Sequence, residues 1–117
     1  MKTIKKCVAI DHTEENLRAL QDTIYVIGGK WKLPILFAIG SGKKRFLDIK
    51  RNIPGISTRM LSLNLKEMEV NKLVKRLAYE DTREVIEYEF SEHAKDYIKL
   101  MKDMIEWGKE HRKVIIN

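Results

Sequence analysis

Residues 46–71 read FLDIKRNIPGISTRMLSLNLKEMEVN, and this stretch decides the fold. Phe46, Ile49 and Ile53 fall at core spacing for a short helix from Phe46 to about Asn52. Pro54-Gly55 follows, and proline before glycine is a strong turn signal, so the helix must break there. Ser57 can cap the next helix by accepting a hydrogen bond from a free N–H of its first turn, and that helix is expected to run to about Val70 or Asn71. On a helical wheel Met60, Leu61, Leu65 and Met68 share the arc that should face the core, while Thr58, Arg59, Ser62, Lys66 and Glu69 lie on the opposite arc. Asn64 falls toward the apolar side. Leu63 borders the polar face, where packing on the preceding helix is expected ahead of contact with a thymine methyl. Two helices around a tight turn form the unit that lays its second helix in the major groove of DNA while the first braces it across the backbone.

Working toward the N-terminus, Thr13 is a candidate N-cap for a helix with Glu14 and Glu15 at its positive end. Leu17, Leu20, Ile24 and Ile27 recur along it at helical spacing, and Gly28-Gly29 should stop it. A second helix is expected over about Lys30 to Ile39, ending at Gly40-Ser41-Gly42, with Pro34 in or near the first turn, where its missing N–H has no intrahelical partner to lose. Toward the C-terminus the period changes. Leu73 to Tyr79 and Val85 to Phe90 read as two strands around the polar 80–84 turn, with Ile86, Tyr88 and Phe90 alternating onto one buried face. Ser91 is expected to cap a long last helix to about Arg112. The fold class is α+β, mostly helical: a winged helix-turn-helix of three helices, a turn, a fourth helix, a hairpin wing and a final helix. Residues 1–12 read as a mobile arm and 13–117 as a single domain.

Charge follows the same plan. The net charge is +6, but residues 30–76 hold twelve Lys or Arg against Asp48, Glu67 and Glu69, whereas the flanks are neutral before and acidic after. A basic centre of this kind is the footprint of a polyanion partner, here double-stranded DNA. In the second helix of the unit, Ser57, Thr58, Arg59, Ser62 and Lys66 combine short hydroxyls, which permit close approach, with cations suited to guanine edges and phosphates. Lys30, Lys32, Lys43 and Lys44 are candidate phosphate contacts, which fix position without reading sequence. Arg83 at the wing tip is a candidate for a minor groove or phosphate, although Glu80, Asp81 and Glu84 beside it would repel phosphate.

The last helix carries Ala94, Tyr97, Ile98, Met101, Met104, Ile105 and Gly108 on one continuous apolar stripe. A domain this small cannot easily cover so much apolar surface, and a surface of that extent marks an interface. A two-fold homodimer is expected, with Leu17, Leu20 and Ile24 of the first helix and Tyr97, Ile98, Met101, Met104, Ile105 and Gly108 of the last at its contact; part of the stripe should pack within its own chain.

Several motifs then occur in order: Ile27-Gly28-Gly29-Lys30-Trp31, Ile35-Leu36, Arg45-Phe46, Ile56-Ser57-Thr58-Arg59-Met60-Leu61, Leu65-Lys66-Glu67-Met68-Glu69, Leu73-Val74-Lys75-Arg76, Glu87-Tyr88 and Trp107-Gly108. Together they cover about residues 17–112 and resemble the signature of HxlR-type transcriptional regulators. The resemblance implies bacterial winged-helix dimers that join through their terminal helices and bind palindromic operators as repressors or activators. Many such regulators carry a cysteine, followed by proline, about nine residues before the isoleucine of the Gly-Gly-Lys-Trp motif. Here that position is Arg18, followed by Ala19. The wing lacks the proline common in relatives, and Ala94 stands where glycine is common.

Other classes are disfavoured. The longest apolar run, Leu33 to Ile39, is broken by Pro34 and falls far short of the roughly 20 residues that span a bilayer. No membrane association is expected, and no signal peptide is read, so the default location is the cytoplasm. Cys7 is the only cysteine. Flanked by Lys5 and Lys6, which favour thiolate, it is either a thiol sensor or an ordinary surface cysteine. His12, His93 and His111 are scattered without metal-ligand spacing, so neither metal nor cofactor is expected. No nucleophile–base pair or phosphate-cradling loop suggests an enzyme. A small-molecule effector is open, and Tyr25, Trp31, Tyr97 and Trp107 could line its pocket or simply pack in the core. The competing reading is a winged-helix interaction module whose basic face meets an acidic protein.

Overall fold

The computed structural model describes residues 9–79 and 85–116. Helix α1 spans Glu14–Ile27, α2 Lys32–Gly40, α3 Phe46–Arg51 and α4 Thr58–Val70; strands β1 (Val74–Tyr79) and β2 (Val85–Phe90) form an antiparallel hairpin, and α5 spans Tyr97–Ile116. The winged helix-turn-helix expected from the sequence is therefore present.

Local chemistry sets the boundaries. Thr13 caps α1 by accepting the Asn16 N–H on its side-chain oxygen at 3.0 Å. At the other end Gly28 donates to the Ile24 carbonyl, and Gly29 turns the chain at φ +93°, a conformation that glycine adopts without strain. Helix α2 starts at Lys32, two residues later than expected, because Trp31 is its N-cap and Lys30 belongs to the connecting bend. Pro34 is accommodated in its first turn. Helix α4 ends on two interlocked hydrogen bonds, Leu73 N–H to the Met68 carbonyl and Lys72 N–H to the Glu69 carbonyl, both 2.9 Å. This Schellman closure places Lys72 at φ 62°.

Pairing in the hairpin runs from Val74 opposite Phe90 to Tyr79 opposite Val85. Arg45 bridges to Glu87 as a one-residue third strand, and Tyr88 N–H donates to the Lys44 carbonyl at 2.9 Å, anchoring the wing to the segment before α3. Ser91 does not open a long helix. Its Oγ accepts from Ala94 N–H at 3.1 Å and donates to the Lys72 carbonyl at 2.7 Å, so residues 91–96 form turns tied to the end of α4. Helix α5 then begins at Tyr97 and continues past Arg112 to Ile116.

The core lies between α2, α3, α4 and the hairpin, where Ile35, Leu36, Ile49, Leu61, Leu65 and Met68 are fully buried. The terminal helices contribute little to it. Ile27 is the only buried residue of α1 and Met101 the only one of α5. The radius of gyration is 17.5 Å, against about 13 Å for a compact domain of this length. No described helix is long and apolar enough to cross a membrane.

Candidate nucleic-acid interface

Helix α4 owes its orientation to one side. Leu61, Leu65 and Met68 are buried against the core, while Ile53 and Ile56, buried on either side of the exposed Pro54-Gly55, pin the turn that aims the helix. Gly55 takes φ +87°, which a side chain would strain. Ser57 Oγ accepts the Met60 N–H at 3.0 Å and fixes the helix start. Met60, expected in the core, is 38% exposed, because it sits at the edge of the buried arc. Asn64 is half-buried and donates to its own helix at the Met60 carbonyl, 2.8 Å away, so it is spent within the helix.

The opposite side is bare. Thr58, Arg59, Ser62 and Lys66 are exposed, and among the described residues none of their side chains has a hydrogen-bond or ion-pair partner. Leu63, expected to pack on α3, is instead 52% exposed between them. A helix face carrying two unpaired cations and two hydroxyls at the rim of the domain suits a polyanionic groove.

The surrounding bases divide. Lys30 lies over the Trp31 ring, 4.8 Å from its centroid, and that ring reaches the α3–α4 turn, where a Cβ on Gly55 would lie 3.9 Å from it. The ammonium is thus carried toward the N-terminal end of α4. Lys43 and Lys44 are exposed in the turn after α2, at the root of the wing. Lys32 departs from expectation: its side chain is only 12% exposed and its Nζ lies 2.6 Å from Glu67 of α4, so its charge is neutralised inside the domain rather than offered to phosphate. Arg45 faces Glu87 at 3.7 Å. Arg76, passed over in the sequence, is exposed on β1 directly opposite Tyr88 and makes no ion pair among the described residues. Alternation could not have found it, because Arg76 shares its face of the hairpin with the buried Val74 and Tyr88, and β1 is exposed at both 75 and 76. Arg83 and Cys7 lie outside the described residues.

At the other end of the molecule, Leu17, Leu20 and Ile24 are 43%, 62% and 58% exposed along α1. Ile98 and Ile105 are partly exposed on α5, with Met104 half-buried between them and Gly108 half-buried one turn beyond Ile105. Met101, expected at an interface, is buried in its own core, and Ala94 is buried in the preceding turn. Tyr97 is half-buried, its hydroxyl enclosed without a partner among the described residues. The four aromatics considered as pocket walls are not brought together: Trp31 packs at the turn and Trp107 stacks on His111 at 4.8 Å. Tyr97 alone of the four lines a groove of about 440 Å³ between α1 and the start of α5, beside Asp22, Val26, Leu73, His93 and Leu100.

The model of the HxlR-like helix-turn-helix family matches residues 26–115. The chain belongs to the HxlR family. It is 36% identical over 93 residues to the HTH-type transcriptional regulator YtcD of Bacillus subtilis, an alignment spanning 80% of this chain and 74% of that one. An archaeal relative, an HTH-type transcriptional regulator of Methanothermobacter thermautotrophicus, is 38% identical over 96 residues, 82% and 73% of the two chains. Among solved structures, the redox regulator HypR in its reduced form superposes with a TM-score of 0.77 at 36% identity, over 83% of this chain and 96% of that one. A MarR-family regulator from Enterococcus faecalis superposes at 0.74 with 25% identity, over 90% and 94%. The protein is thus a winged helix-turn-helix transcription regulator of HxlR type. Its relatives are regulators rather than enzymes.

Proposed function

We propose that this HxlR regulator binds a palindromic double-stranded operator as a homodimer in the cytoplasm, with α4 in the major groove and the 80–84 wing on the flanking backbone or minor groove. The observation that carries the reading is the bare outer face of α4. Thr58, Arg59, Ser62 and Lys66 are exposed, and unpaired among the described residues, at the end of the domain that also presents Lys30. Arg59 and the Ser57–Thr58 start of the helix come nearest the bases, because N-terminal residues of such helices reach base edges first. Lys30, Lys43, Lys44 and Arg76 meet phosphates, and Arg83 extends the contact along the wing. Lys32 is assigned to holding α4 in place.

Dimerisation rests on the terminal helices. Their apolar residues Leu17, Leu20, Ile24, Ile98 and Ile105 are left open to solvent by the protomer, and a second copy would cover them. Two-fold symmetry would set two α4 helices about 34 Å apart, one turn of duplex. HypR is a redox regulator; in this chain α1 holds no cysteine, and Arg18 is exposed on it.

The test is a titration of the protein against a duplex recovered by binding selection from a random pool, beside its scrambled form, at about 50 and 200 mM salt. Preferential binding that loses about three to five decades of affinity across that range is expected for six to ten neutralised phosphates. A pool that yields no preferred duplex would overturn the reading and leave an acidic protein as the partner of the basic face.

A further inference from the structure

Leu63 is the one large apolar side chain in the middle of the groove-facing side of α4. It lies one turn after Arg59 and three residues before Lys66, and it is 52% exposed. No packing role accounts for it: the core takes Leu61, Leu65 and Met68 from the far side of the helix. Met60 and Val70, the other exposed apolar residues of α4, sit at the edge of the buried arc and at the last residue. The cations on either side have no intramolecular partner among the described residues, so the neighbourhood of Leu63 is built to be covered by another molecule. That molecule, on the reading proposed above, is duplex DNA. A major groove offers one apolar group only, the 5-methyl of thymine; every other base-edge feature there is a hydrogen-bond donor or acceptor that leucine cannot satisfy.

The geometry points to Leu63 as a specificity-determining residue that reads a thymine 5-methyl in each half-site. Arg59 and Lys66 hold the helix on guanine edges and phosphates. Leu63, between them, buries its isobutyl group against the methyl. A cytosine at that position leaves the leucine facing an amino group, and the desolvation of that donor goes uncompensated.

Because the inference rests on the DNA-binding reading, its test separates the two. The duplex recovered by selection is remade with each thymine in turn replaced by uracil, which removes the methyl and nothing else. Fluorescence anisotropy then gives the affinity of the wild type, Leu63→Ala and Leu63→Gln for each duplex. The loss of one methyl burial is worth about fourfold in affinity, so uracil at the contacted thymine of one half-site should weaken the wild type by about that factor, and uracil in both half-sites by about sixteenfold. Both variants should bind thymine and uracil duplexes equally, and each should fold as the wild type does by circular dichroism, since the side chain is exposed. Wild-type binding indifferent to every uracil, with Arg59→Ala still weakened, would overturn the role of Leu63 and leave DNA binding standing. A uracil penalty that persists in both variants would assign the methyl to another residue and overturn it equally. Failure of the selection to yield any preferred duplex would overturn the underlying reading, and this inference with it.

Discussion

Arg59 sits in the first turn of α4, exposed and without a partner among the described residues, on a helix whose start is fixed by the Ser57 cap. A guanidinium there is held in place by the helix yet keeps all its donors for an incoming base. Arg59→Ala should therefore cost about 1–3 kcal/mol of operator affinity, with circular dichroism and sedimentation unchanged; a variant that loses the dimer instead would mean the helix is misplaced in the proposed complex. Lys43→Ala should behave differently, weakening all duplexes alike and lowering the salt slope by about one. At the opposite end, the enclosed Tyr97 hydroxyl has no partner among the described residues, and burial raises its pKa above the ordinary 10.0. Folding then favours the neutral phenol, so this contribution is whole below pH 10 and is lost as pH rises through the raised folded-state pKa. Tyr97→Phe should flatten that alkaline loss and leave the neutral-pH melting temperature unchanged or higher, since no hydrogen bond is forfeited. Melts followed by circular dichroism between about pH 8 and 11 would decide, and a lower neutral-pH midpoint would mean the hydroxyl is bonded.

At the scale of elements, α4 is held at three places: by its buried leucines, by the Lys32–Glu67 pair that ties it to α2, and by the left-handed Lys72 that closes it. Lys32 is largely enclosed while Glu67 stays 58% exposed, so the pair is half-screened. Glu67→Gln leaves the ammonium without its counter-charge and should cost about 1–2 kcal/mol of stability. Lys32→Met, which keeps the stem and removes the charge, should cost less. Urea denaturation of both would check this ordering. Lys72→Gly should stabilise by about 0.5–1 kcal/mol, because glycine takes a positive φ without the steric cost a lysine bears. These elements differ in how plainly the sequence announced them. Pro54-Gly55, the Ser57 cap and the apolar arc of α4 are local signals, and the helix-turn-helix was legible from them. Lys32 and Leu63 were misplaced because their environments come from elements distant in sequence: one finds Glu67, the other finds α3 too far round to cover it. The start of α5 was misplaced for the same reason. Ser91 does act as a cap, its Oγ accepting the Ala94 N–H while donating to the Lys72 carbonyl, but what it caps is the run of turns through residue 96, and the helix begins only at Tyr97.

For the whole molecule, the shape carries the argument. A radius of gyration of 17.5 Å belongs to a protomer whose terminal helices extend from a small wedge instead of closing on it. Each of those helices gives one residue to the core and exposes several: Leu20 is 62% and Ile24 58% exposed on α1, and Trp107, Val114, Ile115 and Ile116 lie exposed along the end of α5. Exposed apolar side chains on two helices that do little for their own domain are consistent with burial in a second copy, and a two-fold axis through them would give α4 two half-sites to read at once. If so, operator affinity depends on residues that never approach DNA. Leu20→Glu combined with Ile24→Glu places like charges against each other across the axis, and should convert the dimer to monomers in sedimentation equilibrium while circular dichroism retains the helical signal. The same variant should bind the selected palindrome about a hundredfold more weakly, because the second half-site is no longer delivered at high effective concentration, whereas its binding to an isolated half-site should match the wild type. A double mutant that stays dimeric would move the interface off α1. One that becomes monomeric yet binds the full palindrome undiminished would show that each protomer reads its half-site alone.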